Sequence, residues 1–184
     1  MHRAADMRTL LSAFFFAFLL HGQNQITLSG GFACSVGGAA CGQSDTAPTV
    51  GATYSRRVVS FVWAEAGVFA ALQPTDVYIN RFGTFPRDSH FIWAPFGARG
   101  TWPLTRRFEI SAGAGGVYEN FSIAENYGVG PFSHEGWGGY VTTGTALALD
   151  RKRHLWLGAS SRFVFINRSP DRWLMFTGDL GYRF

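Results

Sequence analysis

Apolar residues recur at every second position through most of the chain, the period of a β-strand, whose successive side chains point to opposite faces. Eight segments carry the pattern. Gln25–Cys34 places Ile26, Leu28, Gly30 and Phe32 on one face, and Pro48–Ser55 places Val50, Ala52 and Tyr54. Val59–Leu72 gives a clean run at Val62, Ala64, Ala66, Val68, Ala70 and Leu72, with Glu65 and Gly67 opposite. His90–Trp102 sets Ile92, Ala94, Phe96, Ala98 and Trp102 against Arg99 and Thr101. Proline removes a ladder donor, so Pro95 predicts a bulge in this segment. Phe108–Tyr118, Gly136–Leu149 and His154–Ile166 repeat the alternation, and Arg172–Phe184 ends the chain with Leu174, Phe176, Gly178, Leu180, Tyr182 and Phe184 on a face without charge.

Short and long connections alternate between these segments. The short ones are predicted at Arg56-Arg57, Pro103–Arg107 and Asp150–Arg153, all rich in arginine. The long ones are Ser35–Ala47, Gln73–Ser89 and Asn120–Glu135, with a shorter fourth at Asn167–Asp171. An even number of strands with short turns at one end and longer loops at the other is the form expected of a bacterial outer-membrane barrel.

Composition narrows the choice. Only 15% of the 184 residues are charged and Lys152 is the single lysine, whereas a typical soluble domain is roughly 25% charged. A barrel in a membrane reconciles few charges with ordinary hydropathy, since half of each strand faces lipid and half faces a polar interior. A soluble barrel of lipocalin type would invert the two faces, which the charge-free apolar faces oppose. The net charge of +4 does not gather into a nucleic-acid patch. No nucleic-acid partner is expected.

Residues 1–22 read as a signal peptide. Arg3 and Arg8 form a basic start and Thr9–Leu20 an apolar run of twelve residues, too short for a bilayer span of about 20 and suited to Sec export, with cleavage after Gly22. Residues 23–184 would then form one barrel domain. Export to an oxidising compartment makes a disulfide between Cys34 and Cys41 plausible chemistry, closing a small glycine-rich loop. Two thiols without nearby His or acidic partners make a poor metal site. No metal or cofactor is expected.

Aromatic residues sort towards both ends. Tyr54, Trp102, Phe108, Tyr182 and Phe184 fall near the short turns, and Phe32, Phe91, Trp93, Tyr118, Trp137, Phe165 and Trp173 near the long loops. Two aromatic girdles match the two membrane interfaces. Leu180, Tyr182 and the final Phe184 resemble the C-terminal assembly signal of outer-membrane barrels, which implies recognition by the barrel-assembly machinery. Taken together the pattern resembles the small eight-stranded barrels of the OmpA and OmpX type. That resemblance implies an all-β, antiparallel, up-and-down transmembrane barrel in the cell outer membrane, monomeric, in contact with lipid and lipopolysaccharide. The peptidoglycan-binding domain of full OmpA is not expected, because the sequence stops on a barrel strand.

An eight-stranded barrel is just wide enough inside to be filled by side chains. The inward set includes Glu65, Arg99, Glu109, Arg162, Asp179 and Arg183. Charges in so narrow a space must be paired, and neighbouring strands predict Glu65 with Arg99 and Arg162 with Asp179. Such pairs would plug the barrel; the sharper alternative is a narrow gated pore. Candidate chemistry is sparse. Asp88, Ser89 and His90 fall at the outer rim and His134 in the third long loop. Outer-membrane lipid A acyltransferases and deacylases are eight-stranded barrels that use Ser and His, but adjacent strand residues point apart, and the deacylase His-x-Ser pattern is absent from the sequence. The expected role is non-enzymatic: structural, or surface recognition by the second and third long loops.

Overall fold

The computed structural model describes residues 23–36, 46–72, 76–80, 83–125, 132–167 and 172–184. It contains β1 (Asn24–Ser35), β2 (Thr46–Val59), β3 (Val62–Leu72), β4 (Asp76–Asn80), β5 (Gly83–Pro103), β6 (Phe108–Glu125), β7 (Phe132–Ala148), β8 (Leu155–Ile166) and β9 (Arg172–Arg183). The order β3-β2-β1-β9-β8-β7-β6-β5 is closed by antiparallel pairing of β3 with β5. Eight strands therefore make a closed all-β cylinder, and β4 pairs outside the ring against the extension of β5. Among the described residues the eight-stranded ring itself has no open edge, which is what lets strands cross hydrocarbon with their backbone groups bonded; β4 is the one edge strand, outside that ring. The expected signal segment 1–22 and Cys41 lie outside the described residues.

Alternation along each strand has the expected sense. Leu28, Val50, Val68, Val141, Leu157 and Leu180 stand exposed on the outer wall, while Thr53, Glu65, Thr142, Arg162 and Thr177 are buried inside. Leu28 lies between Ala52 and Leu180 in register, inside the span bounded by the outward aromatics Tyr182, level with Ile26 two residues below, and Phe32 four residues above. Leu28→Arg is expected to cost about 2–4 kcal/mol of folding free energy in vesicles, because a guanidinium there meets the bilayer midplane. Phe61→Arg, at the exposed turn after β2, should cost about 0–1 kcal/mol. Guanidinium titration of the refolded variants measures both.

Four expectations need correction. Arg56 and Arg57 do not form the first reversal; they still pair with Ala64 and Trp63, and the turn is Ser60–Phe61. Pro95 causes no bulge. The β3–β5 ladder keeps one register from Ala66↔Phe96 to Phe69↔Trp93 and omits only the pairings between, as expected where proline has no N–H to give. The shift in register falls instead between Arg57 and Val59. Finally, much of the predicted second and third long loops is strand. β4 and the start of β5 form a hairpin within Gln73–Ser89, and β6 and β7 pair as far as Ile123↔Phe132. With 21 residues in β5 and 18 in β6, these strands outrun the roughly 9–11 residues a bilayer needs.

The Asp150–Arg153 turn forms as expected. The Asp150 carboxylate accepts the Leu155 backbone N–H at 2.9 Å, and the Asp150 carbonyl accepts from Arg153 N at 3.3 Å. That first bond holds the Asp150 carboxyl below its ordinary pKa. A depressed carboxylate supports the fold above its unfolded pKa and loses that support as pH falls through the lowered value. Arg153 adopts φ 59°, the left-handed region.

The barrel interior as candidate functional site

The interior has two storeys. Near the short turns it is polar. Glu65, Arg99, Glu109, Arg162, Asp179 and Arg183 all point inward, as their strand parity predicts. Arg99 Nε lies 3.3 Å from Glu65 Oε2, the expected pair, although its N–H is not aligned as a hydrogen bond. The two residues sit on a diagonal of the β3–β5 ladder, Glu65 opposite Gly97 and Arg99 opposite Trp63, which long side chains reach. Glu65 also accepts the Tyr140 hydroxyl at 2.9 Å. Gly97 and Gly115 lie in register between Glu65 and Tyr140. A Cβ on Gly97 would come within 2.8 Å of the Tyr140 oxygen, so glycine there keeps the phenol's path to the carboxylate open.

The expected pair between Arg162 and Asp179 is not formed. In the β8–β9 register Arg162 faces Met175 and Asp179 faces Gly158, four residues apart, or roughly 13 Å along the strand. Asp179 instead accepts Ser29 Oγ at 2.6 Å and Thr177 Oγ1 at 2.9 Å. Arg162 lies with its guanidinium carbon 4.2 Å from the Phe69 ring centre and 5.3 Å from that of Tyr140, a cation–π arrangement. Its Nε has no hydrogen-bond partner among the described residues. A polar cavity of about 50 Å³ beside it has room for a few waters.

A pairing not anticipated joins Arg183 and Glu109 across the barrel. Both nitrogens of the guanidinium fork meet the two Glu109 oxygens, and Arg183 Nε donates to Gln25 Oε1 at 2.8 Å. The same guanidinium carbon lies 3.9 Å from the Trp156 ring centre and 5.1 Å from that of Trp63. Each indole is itself fixed, Trp156 to the Arg153 carbonyl at 2.7 Å and Trp63 to Thr101 Oγ1 at 3.1 Å.

Towards the long connections the interior is apolar. Phe69, Phe91, Trp93, Val117, Tyr140, Val164, Trp173 and Met175 form one buried cluster. Phe91 stacks on Phe121 at 4.3 Å and meets Trp173 at 4.5 Å, and Trp93 meets Trp173 at 5.4 Å. Phe91, Trp93 and Trp173 were expected in the outer girdle; they point inward. Their positions share the odd parity of Arg99 and Arg183 on the same strands, and that signal would have placed them. Phe32, Trp137 and Phe165 do stand outward, with Trp137 5.1 Å from Tyr118. Glu119, also of inward parity but not expected in the charge network, is buried here and accepts Trp93 Nε1 at 2.7 Å.

Asp88, Ser89 and His90 are consecutive on β5, opposite Ala124, Ile123 and Ser122 of β6, and His134 is on β7 opposite Phe121. One strand thus separates His134 from the β5 trio; their side chains lie outside what the structure describes. Cys34 is buried and disulfide-bonded. Among the described residues no group of His, Cys, Asp and Glu could hold a metal.

No protein-family model matches the chain, and no curated protein matches its sequence. Solved structures do resemble it. Neisserial surface protein A aligns with a TM-score of 0.62 at 13% identity, covering 89% of this chain and 97% of that one. Ail, the attachment invasion locus protein of Yersinia pestis, solved with the heparin analogue sucrose octasulfate, aligns at 0.60 with 10% identity, covering 90% and 100%. The outer membrane protein OprG of Pseudomonas aeruginosa aligns at 0.57 with 14% identity, covering 88% and 96%. The chain has the fold of the small bacterial outer-membrane barrels, and its outward apolar wall is the surface such a barrel presents to the bilayer.

Proposed function

We propose that this outer-membrane barrel is a closed, non-enzymatic scaffold that carries a strand-built surface outside the cell for structural or recognition work. The observation behind the closed state is the pair of interior storeys: an aromatic cluster above paired and hydrogen-bonded charges, with a polar cavity of only about 50 Å³, a few waters' worth of space. The recognition surface is the wall of β4, β5, β6 and β7 beyond the bilayer, rather than free loops. In this reading residues 1–22 are a Sec signal, Cys34 pairs with Cys41 to staple the first long connection, and the barrel is a monomer surrounded by lipid and lipopolysaccharide. Leu180, Tyr182 and Phe184 stand outward on the final strand, accessible to the barrel-assembly machinery.

Planar-bilayer recording tests the closed scaffold against the gated pore. The protein is expected to give no single-channel steps, and Arg162→Gln to leave the trace unchanged. Steps that change in size or frequency with Arg162→Gln would establish a gate instead. Mass spectrometry of lipid A from cells with and without the protein tests the enzyme reading; identical acylation is expected, and a changed acyl count would point to Ser89 and His90.

A further inference from the structure

The short-turn rim of the barrel is strongly basic. Seven of the sixteen basic residues lie at the short-turn end: Arg56 and Arg57 near the end of β2, Arg106 and Arg107 after β5, and Arg151, Lys152 and Arg153 after β7. Asp150 is the one carboxylate within these turns, and its oxygen is already engaged by Leu155 N. The side chains from Arg106 to Arg107 and Arg151 to Arg153 are exposed, and none of the five is in an ion pair among the described residues. The rim that carries them is held by backbone bonds between neighbouring turns and strands. Thr101 donates to the Phe61 carbonyl at 2.8 Å, Ala148 to that of Arg107 at 2.7 Å, and Arg183 to that of His154 at 2.7 Å.

Directly beside the cations stand exposed apolar anchors, Trp102, Leu104, Tyr182 and Phe184. Aromatic side chains of this kind sit at headgroup depth. Guanidinium groups a few residues further out then lie level with lipid phosphates, and basic clusters at a membrane surface attract anionic lipid. A soluble polyanion would use the cations but has no need of the exposed apolar anchors beside them.

We infer that the short-turn rim is a binding surface for anionic phospholipid, its arginines and Lys152 holding the phosphodiester headgroups of the leaflet on that side. The inference rests on the membrane-barrel reading. Lipid ordered around the rim would fix the barrel's depth and tilt.

The test is lipid selection in nanodiscs assembled from equal parts phosphatidylglycerol and phosphatidylcholine, with the lipids that stay on the protein after mild detergent release counted by native mass spectrometry. Wild-type protein should retain at least about threefold more phosphatidylglycerol than phosphatidylcholine, and 0.5 M salt should reduce the preference. The variant Arg106→Gln/Arg107→Gln/Arg151→Gln/Lys152→Gln/Arg153→Asn should lose it, asparagine being chosen to suit the left-handed backbone at 153. Arg172→Gln, at the other end, should not. Equal retention of both lipids by wild-type protein, or a preference untouched by the five substitutions, overturns the inference. So does binding of poly-glutamate by wild-type protein in neutral detergent with no lipid preference in nanodiscs. Circular dichroism on the same samples separates the two failures: folded barrel without selection defeats the rim alone, whereas absence of strand signal defeats the barrel itself.

Discussion

Arg183→Leu is expected to destabilise the barrel by about 3–5 kcal/mol, because it leaves the Glu109 carboxylate buried without its cation. Both residues are less than a tenth exposed. The substitution also removes the bond to Gln25 and the stacking on Trp156. Glu109→Leu alone should cost a similar amount for the mirror reason. The double variant Arg183→Leu/Glu109→Leu should recover most of the loss, since a buried pair replaced by apolar groups of like size is often neutral. Guanidinium titrations of the four proteins in detergent, read by circular dichroism, give the coupling energy. Additive losses would mean that the two groups do not depend on each other.

Trp93→Ala should cost about 3–5 kcal/mol, the range for emptying a large buried aromatic site. Trp93 is fully buried, stacks 5.6 Å from Phe91, meets Trp173 and gives its indole N–H to Glu119. The matched control is Trp137→Ala on the outer wall, where the ring is 61% exposed and lipid can fill the space left. Its loss should be markedly smaller. If the two variants titrate alike, the upper storey is not a packed core. Trp93→Ala in the bilayer assay also asks whether the aromatic storey is what seals the cylinder.

The strands and the sense of their faces were legible because period-2 patterning is local: Val62 to Leu72 declares an outer face without knowledge of any partner. The same parity placed the six interior charges. What local pattern does not carry is register. Glu65 and Arg99 came out as a pair because their strands align them two residues apart, and Arg162 and Asp179 did not because theirs align them four apart. Arg183 and Glu109 meet across the lumen from strands that are not neighbours in the ring, a contact set by barrel diameter together with the registers of the strands between them. Phe91, Trp93 and Trp173 were misplaced when their height along the strand was allowed to outweigh their parity. The β4–β5 hairpin was hidden by Pro74, Asp76, Pro86 and Asp88, whose turn chemistry reads as loop. For Asp88, Ser89, His90 and His134 the strands place the backbone, and no site chemistry follows from that.

Nitroxide labels placed one at a time from position 173 to 182 on β9, with collision rates to oxygen and to a water-soluble nickel complex read by electron paramagnetic resonance in vesicles, test the orientation of the wall most directly. Labels at 174, 176, 178, 180 and 182 should collide with oxygen and be shielded from nickel. Those at 173, 175, 177, 179 and 181 should be immobile and poorly reached by oxygen. Opposite phase, with the odd positions in lipid, or no two-residue period at all, would contradict a barrel that turns its apolar wall outward and its charges in.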